Sequence, residues 1–126
     1  MHLNYSQTTG QMTTDDGADL AHCWAGHGDS KNNPADQCKK SAGPLPQGLY
    51  TVQGWFAHPR LGPLVAKLTQ IEGETFGRDA FYIHGPSKDP AEYGQESKGC
   101  IVIPRIWRQR VSDLTQGDGH TLSVTA

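Results

Sequence analysis

The sequence has no long apolar run, and this absence excludes a transmembrane helix. No stretch of the 126 residues is apolar over the length that a bilayer crossing needs. Residues 1–7 also lack the charged start and the apolar core of a secretory signal peptide. Three explanations stay open: the protein is cytoplasmic, it leaves the cell by a route that needs no such signal, or a leader is absent from this sequence.

An excess of charge of either sign is missing as well. Eleven basic residues stand against 13 acidic ones, a formal net charge of −2, which gives no support to electrostatic binding of nucleic acid. Hydrophobic residues make up only 35% of the chain, beside 15 glycines and 8 prolines. This composition indicates short strands joined by turns rather than a helical bundle. The length fits a single domain over residues 1–126.

Cysteine is scarce, and its three copies fall into two groups. Cys23 and Cys38 lie in one polar segment rich in glycine and proline, whereas Cys100 lies far away. In an oxidising compartment this division predicts a Cys23–Cys38 disulfide and one free thiol. Two reduced cysteines are the alternative. A zinc site of Cys23, His27 and Cys38, with His22 adjacent, is a third, although its spacing matches no strong zinc template.

Hydrophobic alternation predicts a mainly β domain. Residues 3–7 alternate and lead into a turn that ends at Gly10, which indicates a starting hairpin. Residues 14–48 are polar and rich in turn formers, so we predict one long loop there. Further strands are predicted at 49–56, 64–71, 80–84, 101–103 and 121–124.

One short helix is predicted near the end of the chain. Pro104 suits the first turn of a helix, where its missing N–H group costs nothing. Trp107, Val111 and Leu114 then recur with the spacing of one helical face, which is typical of core packing. Residues 117–119, Gly-Asp-Gly, end the helix before the last strand.

Two segments carry residues suited to nucleophilic catalysis. One strand delivers His84 into a Gly-Pro turn, and 16 residues later Cys100 stands between a glycine-containing loop and an apolar strand. If the two strands are neighbours, the imidazole can take the thiol proton and later return it to a leaving amine. Gly99 lets a substrate carbonyl approach the backbone, where N–H groups of the loop would face an oxyanion.

These residues form a pattern that is known from one enzyme family. His84-Gly85, a variable loop and Ser97-Lys98-Gly99-Cys100 resemble the signature of L,D-transpeptidases of the YkuD type. The similarity covers nearly the whole chain and is greatest to the small L,D-transpeptidase effectors delivered by type VI secretion. It extends to the segments Leu3-Asn4-Tyr5, Trp24-Ala25-Gly26, Lys31-Asn32-Asn33-Pro34, Gly43-Pro44-Leu45-Pro46-Gln47-Gly48-Leu49-Tyr50 and Gly77-Arg78.

The resemblance implies an L,D-transpeptidase catalytic β-fold and a reaction on bacterial peptidoglycan. Cys100 would attack the carbonyl between diaminopimelate and the D-alanine of a stem peptide, with His84 as its base. Hydrolysis of the thioester would make the protein an L,D-carboxypeptidase, and attack by an amine would make it a transpeptidase. No metal or organic cofactor is implied. Oxyanion stabilisation or substrate positioning would fall to Gly85, Ser97, Lys98 and Gly99.

The sequence departs from the commoner YkuD signature at two positions. Lys98 stands where a histidine usually precedes Gly-Cys, so His84 is the only imidazole of the motif. Val102 stands where an arginine often follows the cysteine. The residue that holds the substrate carboxylate is therefore not given by the motif, and the candidates are Arg78, Lys98 and Arg105.

The resemblance also implies where the protein acts and what it meets. A wall enzyme without a classical signal peptide suits injection by the secretion machinery into the periplasm of a rival bacterium. The producing cell would then need a cognate immunity protein, which we expect to cover the Cys100 cleft. Three alternatives remain: a non-catalytic peptidoglycan-binding module, a different Cys/His wall amidase, in which the cysteine generally precedes the histidine, and a zinc-stabilised structural domain.

Overall fold

The fold is a single nine-stranded sheet, curled into a nearly closed barrel, with one α-helix. It is taken from a computed structural model that describes residues 1–126. The helix is α1 (Arg105–Leu114), and two short 3-10 turns lie at Gly28–Ser30 and Pro34–Asp36. The strands are β1 (His2–Ser6), β2 (Gln11–Thr14), β3 (Asp19–His22), β4 (Trp24–Ala25), β5 (Gly48–His58), β6 (Gly62–Gly73), β7 (Phe81–His84), β8 (Ile101–Val102) and β9 (His120–Thr125).

The order of strands in the sheet brings distant parts of the chain together. It runs β3-β2-β1-β9-β5-β6-β7-β8-β4. The first and last strands, β1 and β9, pair in parallel, while β5 and β6 form the longest antiparallel hairpin. Beyond β6, the short strands β7 and β8 pair in parallel. The predicted mainly β class with one helix is confirmed, as are the predicted positions of these strands to within a few residues.

The starting hairpin forms as the alternation predicts. β1 pairs with β2 in antiparallel fashion, and Leu3 and Tyr5 point into the core with almost no exposure. Gly10 closes the turn with a positive φ of 72° and donates its N–H to the Ser6 carbonyl at 2.9 Å. A Cβ at Gly10 would lie 2.0 Å from the Cys23 carbonyl oxygen, so only glycine fits there.

The prediction of one long loop over 14–48 was wrong. This segment contains strands β3 and β4 and both 3-10 turns. Leu20 and Ala21 are adjacent and both buried, so β3 shows no alternation, and β4 has only two residues. Strands this short, set among polar residues, leave little periodicity to detect.

The predicted Cys23–Cys38 disulfide is not formed in the structure. Both residues are free thiols, Cys23 buried and Cys38 exposed. Cys23 joins β3 to β4 inside the core, and burial raises the pKa of its thiol. Cys38 instead follows the second 3-10 turn on the surface. The structure also has no group of three or more His, Cys, Asp or Glu side chains placed to hold a metal ion, so the zinc alternative gains no support.

The helix forms where predicted, but its buried face is rotated from the predicted one. Val111 is fully buried and Trp107 packs against the core, whereas Leu114 is 39% exposed. In place of Leu114, the helix buries Arg108 and Ser112. Neither α1 nor any other helix of the structure has the length and apolarity that a bilayer crossing requires.

Candidate active site

Strands β7 and β8 bring the predicted nucleophile and base to one side of the sheet. In their parallel register, Ile83 lies beside Ile101 and His84 beside Val102. Ile83 and Ile101 are core residues. Cys100 directly precedes β8, two residues before Val102. The side chains of His84 and Cys100 line one cavity of about 690 Å³, which we call the nucleophile cavity.

The imidazole of His84 is held in the tautomer that a general base needs. Its Nδ1 lies 2.8 Å from the carbonyl oxygen of Gly85. A carbonyl only accepts hydrogen bonds, so Nδ1 carries the proton and Nε2 keeps a free lone pair. The side chain is 5% exposed, and this burial lowers the pKa of His84 below its ordinary value. The ring is therefore neutral, and able to accept a proton, near neutral pH.

The thiol of Cys100 rests against backbone groups rather than against the imidazole. Its Sγ donates to the Ala80 carbonyl at 3.6 Å, and the structure has no hydrogen bond between Cys100 and His84. Burial raises the pKa of the thiol, while a hydrogen bond from the Tyr82 N–H and the charge of Arg78 lower it. The resting pair is thus a neutral thiol beside a neutral imidazole, and the thiol must turn from Ala80 to transfer its proton.

Ser97 holds the loop that carries the nucleophile. Its side chain is fully buried, and its Oγ donates to the Cys100 carbonyl at 2.6 Å. The same oxygen accepts the N–H groups of Gly26 at 2.9 Å and Gly99 at 3.1 Å. The Ser97 hydroxyl and the Gly99 N–H are thus engaged with each other and with neighbouring backbone groups.

Arg78, a predicted contact for the substrate carboxylate, instead directs both Nη atoms of its guanidinium to backbone carbonyls. Arg78 is 6% exposed. Its two Nη atoms donate to the carbonyls of Gln37, Gly43, Pro44 and Lys98. A Cβ at Gly99, where φ is +129°, would lie 2.4 Å from the Arg78 Nη2, so glycine is needed beside the nucleophile. Arg78 thus ties the 37–44 segment to residues 97–100, which we call the nucleophile loop, and leaves a positive charge near Cys100.

The remaining predicted positions lie on the rims of two cavities. Lys98 is exposed and lines the nucleophile cavity. Arg105 is exposed at the start of α1 and lines a different cavity of about 740 Å³ on the far side of His84, which we call the second cavity. Gly85 lies in the wall of that second cavity. The structure therefore separates Lys98 from Arg105 and places His84 between them.

Several charged residues at the site were missed in the sequence, Glu96 and Arg108 among them. Glu96 borders both cavities, and its carboxylate accepts the Trp24 indole N–H at 2.8 Å and the Ser87 N–H at 2.9 Å. Arg108 is buried in the wall of the second cavity. The position of Glu96 directly before Ser97 was the only available signal for it. Arg108 gave none, since an arginine on a polar helix is typical of a solvent-exposed position.

The fold is shared with solved L,D-transpeptidases. A chain described as L,D-transpeptidase from Mycobacterium smegmatis matches with a TM-score of 0.60 at 15% identity, over 99% of this chain and 58% of that one. L,D-transpeptidase (residues 123-326) from Xylanimonas cellulosilytica matches with a TM-score of 0.60 at 14% identity, over 98% of this chain and 59% of that one. L,D-transpeptidase 3 from Mycobacterium tuberculosis, in complex with a faropenem-derived adduct, matches with a TM-score of 0.61 at 14% identity, over 99% of this chain and 60% of that one. The chain thus spans about three fifths of the length of these proteins.

Sequence comparison gives the family. No curated protein is recognisably similar to the chain in sequence. The family model described as the Tlde1 domain matches residues 19–117, which include both candidate catalytic segments and most of the sheet. The resemblance on which the sequence predictions rested is therefore confirmed. The chain belongs to the Tlde1 domain family of type VI secretion L,D-transpeptidase effectors.

Proposed function

We propose that the protein cleaves the bond between diaminopimelate and the terminal D-alanine of peptidoglycan stem peptides, with Cys100 as nucleophile and His84 as base. The observation that supports the proposal is the shared nucleophile cavity, which is lined both by the thiol and by an imidazole whose Nε2 is free. The cavity is open and lined by polar and charged groups as well as apolar ones, which suits a polar peptide. The product is either a shortened stem or a stem carrying a new D-amino acid.

The reaction runs through a thioester. The thiol of Cys100 passes its proton to His84 Nε2, and its sulfur attacks the carbonyl carbon of diaminopimelate. The C–N bond then breaks as His84 returns the proton to the nitrogen of the departing D-alanine. Water ends the cycle as a carboxypeptidase reaction, and the amine of a D-amino acid ends it as an exchange reaction.

The charges around the sulfur favour the steps in which negative charge develops. The Arg78 guanidinium acts on Cys100 without contacting the substrate, because its hydrogen bonds are taken by the backbone. The backbone N–H groups of Tyr82 and Cys100 also lower the pKa of this thiol. Fixed N–H groups at the point where an oxyanion forms lower the barrier of acyl transfer more than most other catalytic groups do. We assign the oxyanion site to these two groups.

Digestion of purified muropeptides followed by mass spectrometry tests the proposal. Disaccharide tetrapeptides should become disaccharide tripeptides with release of free D-alanine. With added D-methionine, part of the product should carry that residue in place of D-alanine. The variant Cys38→Ser, which changes an exposed thiol outside the cavity, is the matched control and should retain both reactions. Cleavage at another bond of the stem would refute the proposed specificity.

The pKa directions of the pair predict a broad pH profile. The active pair shares one transferable proton between Cys100 Sγ and His84 Nε2. Activity is lost in acid when both atoms are protonated, and in alkali when neither is. Burial lowers the pKa of His84 and raises that of Cys100, which moves the two limits apart. We expect kcat/KM to stay level from a pH below about 6.5 to a pH above about 8.5, which are the ordinary pKa values of histidine and cysteine. Limits that fall inside this range would contradict the assignment.

We further propose that the protein works in the periplasm of a target bacterium and that its producer makes a cognate immunity protein. The support is membership of a family of type VI secretion effectors together with a substrate that lies outside the cytoplasm. An immunity protein that covers the nucleophile cavity should block alkylation of Cys100 by iodoacetamide. Unchanged alkylation in a stable complex would place that partner elsewhere on the surface.

A further inference from the structure

The second cavity presents more positive than negative side chains. Its acidic members are Glu92 and Glu96, and both already accept hydrogen bonds from Ser87. No carboxylate of the protein forms an ion pair with any arginine or lysine, since the one ion pair of the structure joins His22 to Asp19. The cationic residues of the cavity are Arg60, Lys88, Arg105 and Arg108. The cavity therefore offers an unneutralised positive field to an anion.

Arg108 is the buried member of this set and has only one hydrogen-bond partner. Its side chain is 5% exposed and makes a single hydrogen bond, from Nη1 to the Ile103 carbonyl at 2.7 Å. Its Nε is buried without any partner, and Nη2 makes no hydrogen bond. Burial lowers the pKa of Arg108, and the charge of Arg105 lowers it further. A buried guanidinium without a counter-charge is costly, and an anion that accepts a hydrogen bond from Nη2 would reduce that cost.

Gly85 fixes this guanidinium beside the catalytic imidazole. A Cβ built on Gly85 would lie 2.2 Å from the Arg108 Nη1 and 2.7 Å from its Cζ. The guanidinium therefore packs on the residue whose carbonyl orients the His84 ring. The His-Gly motif thus needs glycine at position 85, because the Arg108 guanidinium occupies the space that a side chain would fill there.

We propose that the second cavity binds the α-carboxylate of a D-amino acid, with Arg108 as its main contact and Arg105 and Arg60 at the rim. The inference rests on the proposed function. The amine that His84 protonates on the departing D-alanine is one carbon from the carboxylate, so that carboxylate must lie close to His84. An incoming D-amino acid has the same geometry. A guanidinium with free N–H groups matches a carboxylate in shape and charge.

The test compares two substrates, a tetrapeptide stem ending in D-alanine and the same stem ending in D-alaninamide. Wild-type protein should prefer the acid in kcat/KM by about 30-fold, the effect of one hydrogen-bonded charge. In Arg108→Gln the preference should fall to within about threefold. Arg110→Gln, which changes an exposed arginine of α1 outside both cavities, should keep the wild-type preference. Equal use of acid and amide by the wild type would overturn the inference.

A second variant keeps the inference testable if Arg108→Gln fails to fold. Gly85 does not need a positive φ, and the atoms that its Cβ would meet belong to the end of a flexible side chain. Gly85→Ala should therefore fold while displacing the guanidinium, and its acid preference should fall as well. Retention of the preference in both Gly85→Ala and Arg105→Gln would refute the assignment. Failure of the wild type to release D-alanine from either substrate would instead refute the proposed function.

Discussion

Replacing Cys100 with alanine should abolish D-alanine release, lowering kcat by at least about 10³-fold, and His84→Gln should do the same. Both variants remove the chemical step rather than substrate binding, because the thioester cannot form without the sulfur or without transfer of its proton. The double variant should be no worse than either single one, since the two residues act as a unit. Release of D-alanine from defined tetrapeptides, measured in the steady state, gives the rates.

Controls for this prediction are available in the same chain. Cys38→Ser should retain the wild-type rate, because its thiol is exposed and outside the nucleophile cavity. Far-ultraviolet circular dichroism should show unchanged folding of Cys100→Ala, since alanine fits the space of a cysteine. Full activity in Cys100→Ala would end the mechanism, whereas loss in Cys38→Ser as well would point to a structural effect.

The largest change in stability is expected from Arg78→Met. This substitution removes donors from four backbone carbonyls that lie within the 37–44 segment and the nucleophile loop. With about 1 kcal/mol for each lost bond, the free energy of unfolding should fall by about 4 kcal/mol. Arg78→Lys should recover only part of this stability. Its single ammonium group cannot reach all four of the carbonyls that the two Nη atoms of the arginine contact. Urea denaturation followed by tryptophan fluorescence measures the change.

A matched surface variant separates this effect from loss of charge. Arg110→Met removes an exposed arginine on α1 and should change the free energy of unfolding by less than about 0.5 kcal/mol. The alkylation rate of Cys100 at fixed pH should also fall in Arg78→Met, because Arg78 lowers the pKa of that thiol. A loss of stability below about 1 kcal/mol in Arg78→Met would show that the 37–44 segment is held by other contacts.

Much of the fold could be predicted because the longer strands alternate. The periodicity of β5, β6 and β9 is strong enough to place them within a few residues. Strands β3 and β4 were lost within a polar segment because two to four residues define no period. The disulfide expected from the spacing of Cys23 and Cys38 failed for a related reason, since sequence separation does not show that one residue enters the core while the other stays at the surface.

The sequence predicted that His84 and Cys100 lie together, as they do at one cavity, but it did not predict the arginines around them. His84 and Cys100 stand in a motif, and their strands pair as neighbours. The acceptors of Arg78 are backbone carbonyls from segments 20 to 41 residues away, which no pattern of side chains reveals. Arg108 is buried only because Gly85 leaves room for it. Both arginines are set by tertiary contacts, which lie beyond local sequence patterns.

Trapping the acyl-enzyme tests the central claim most directly. Wild-type protein mixed with a tetrapeptide stem and quenched in acid within its first turnover should gain the mass of the substrate minus D-alanine, and peptide mapping should place that mass on Cys100. Cys100→Ala should gain nothing under the same conditions. The mass of the tripeptide acyl group on any other residue, or D-alanine release without an adduct on Cys100, would contradict the account.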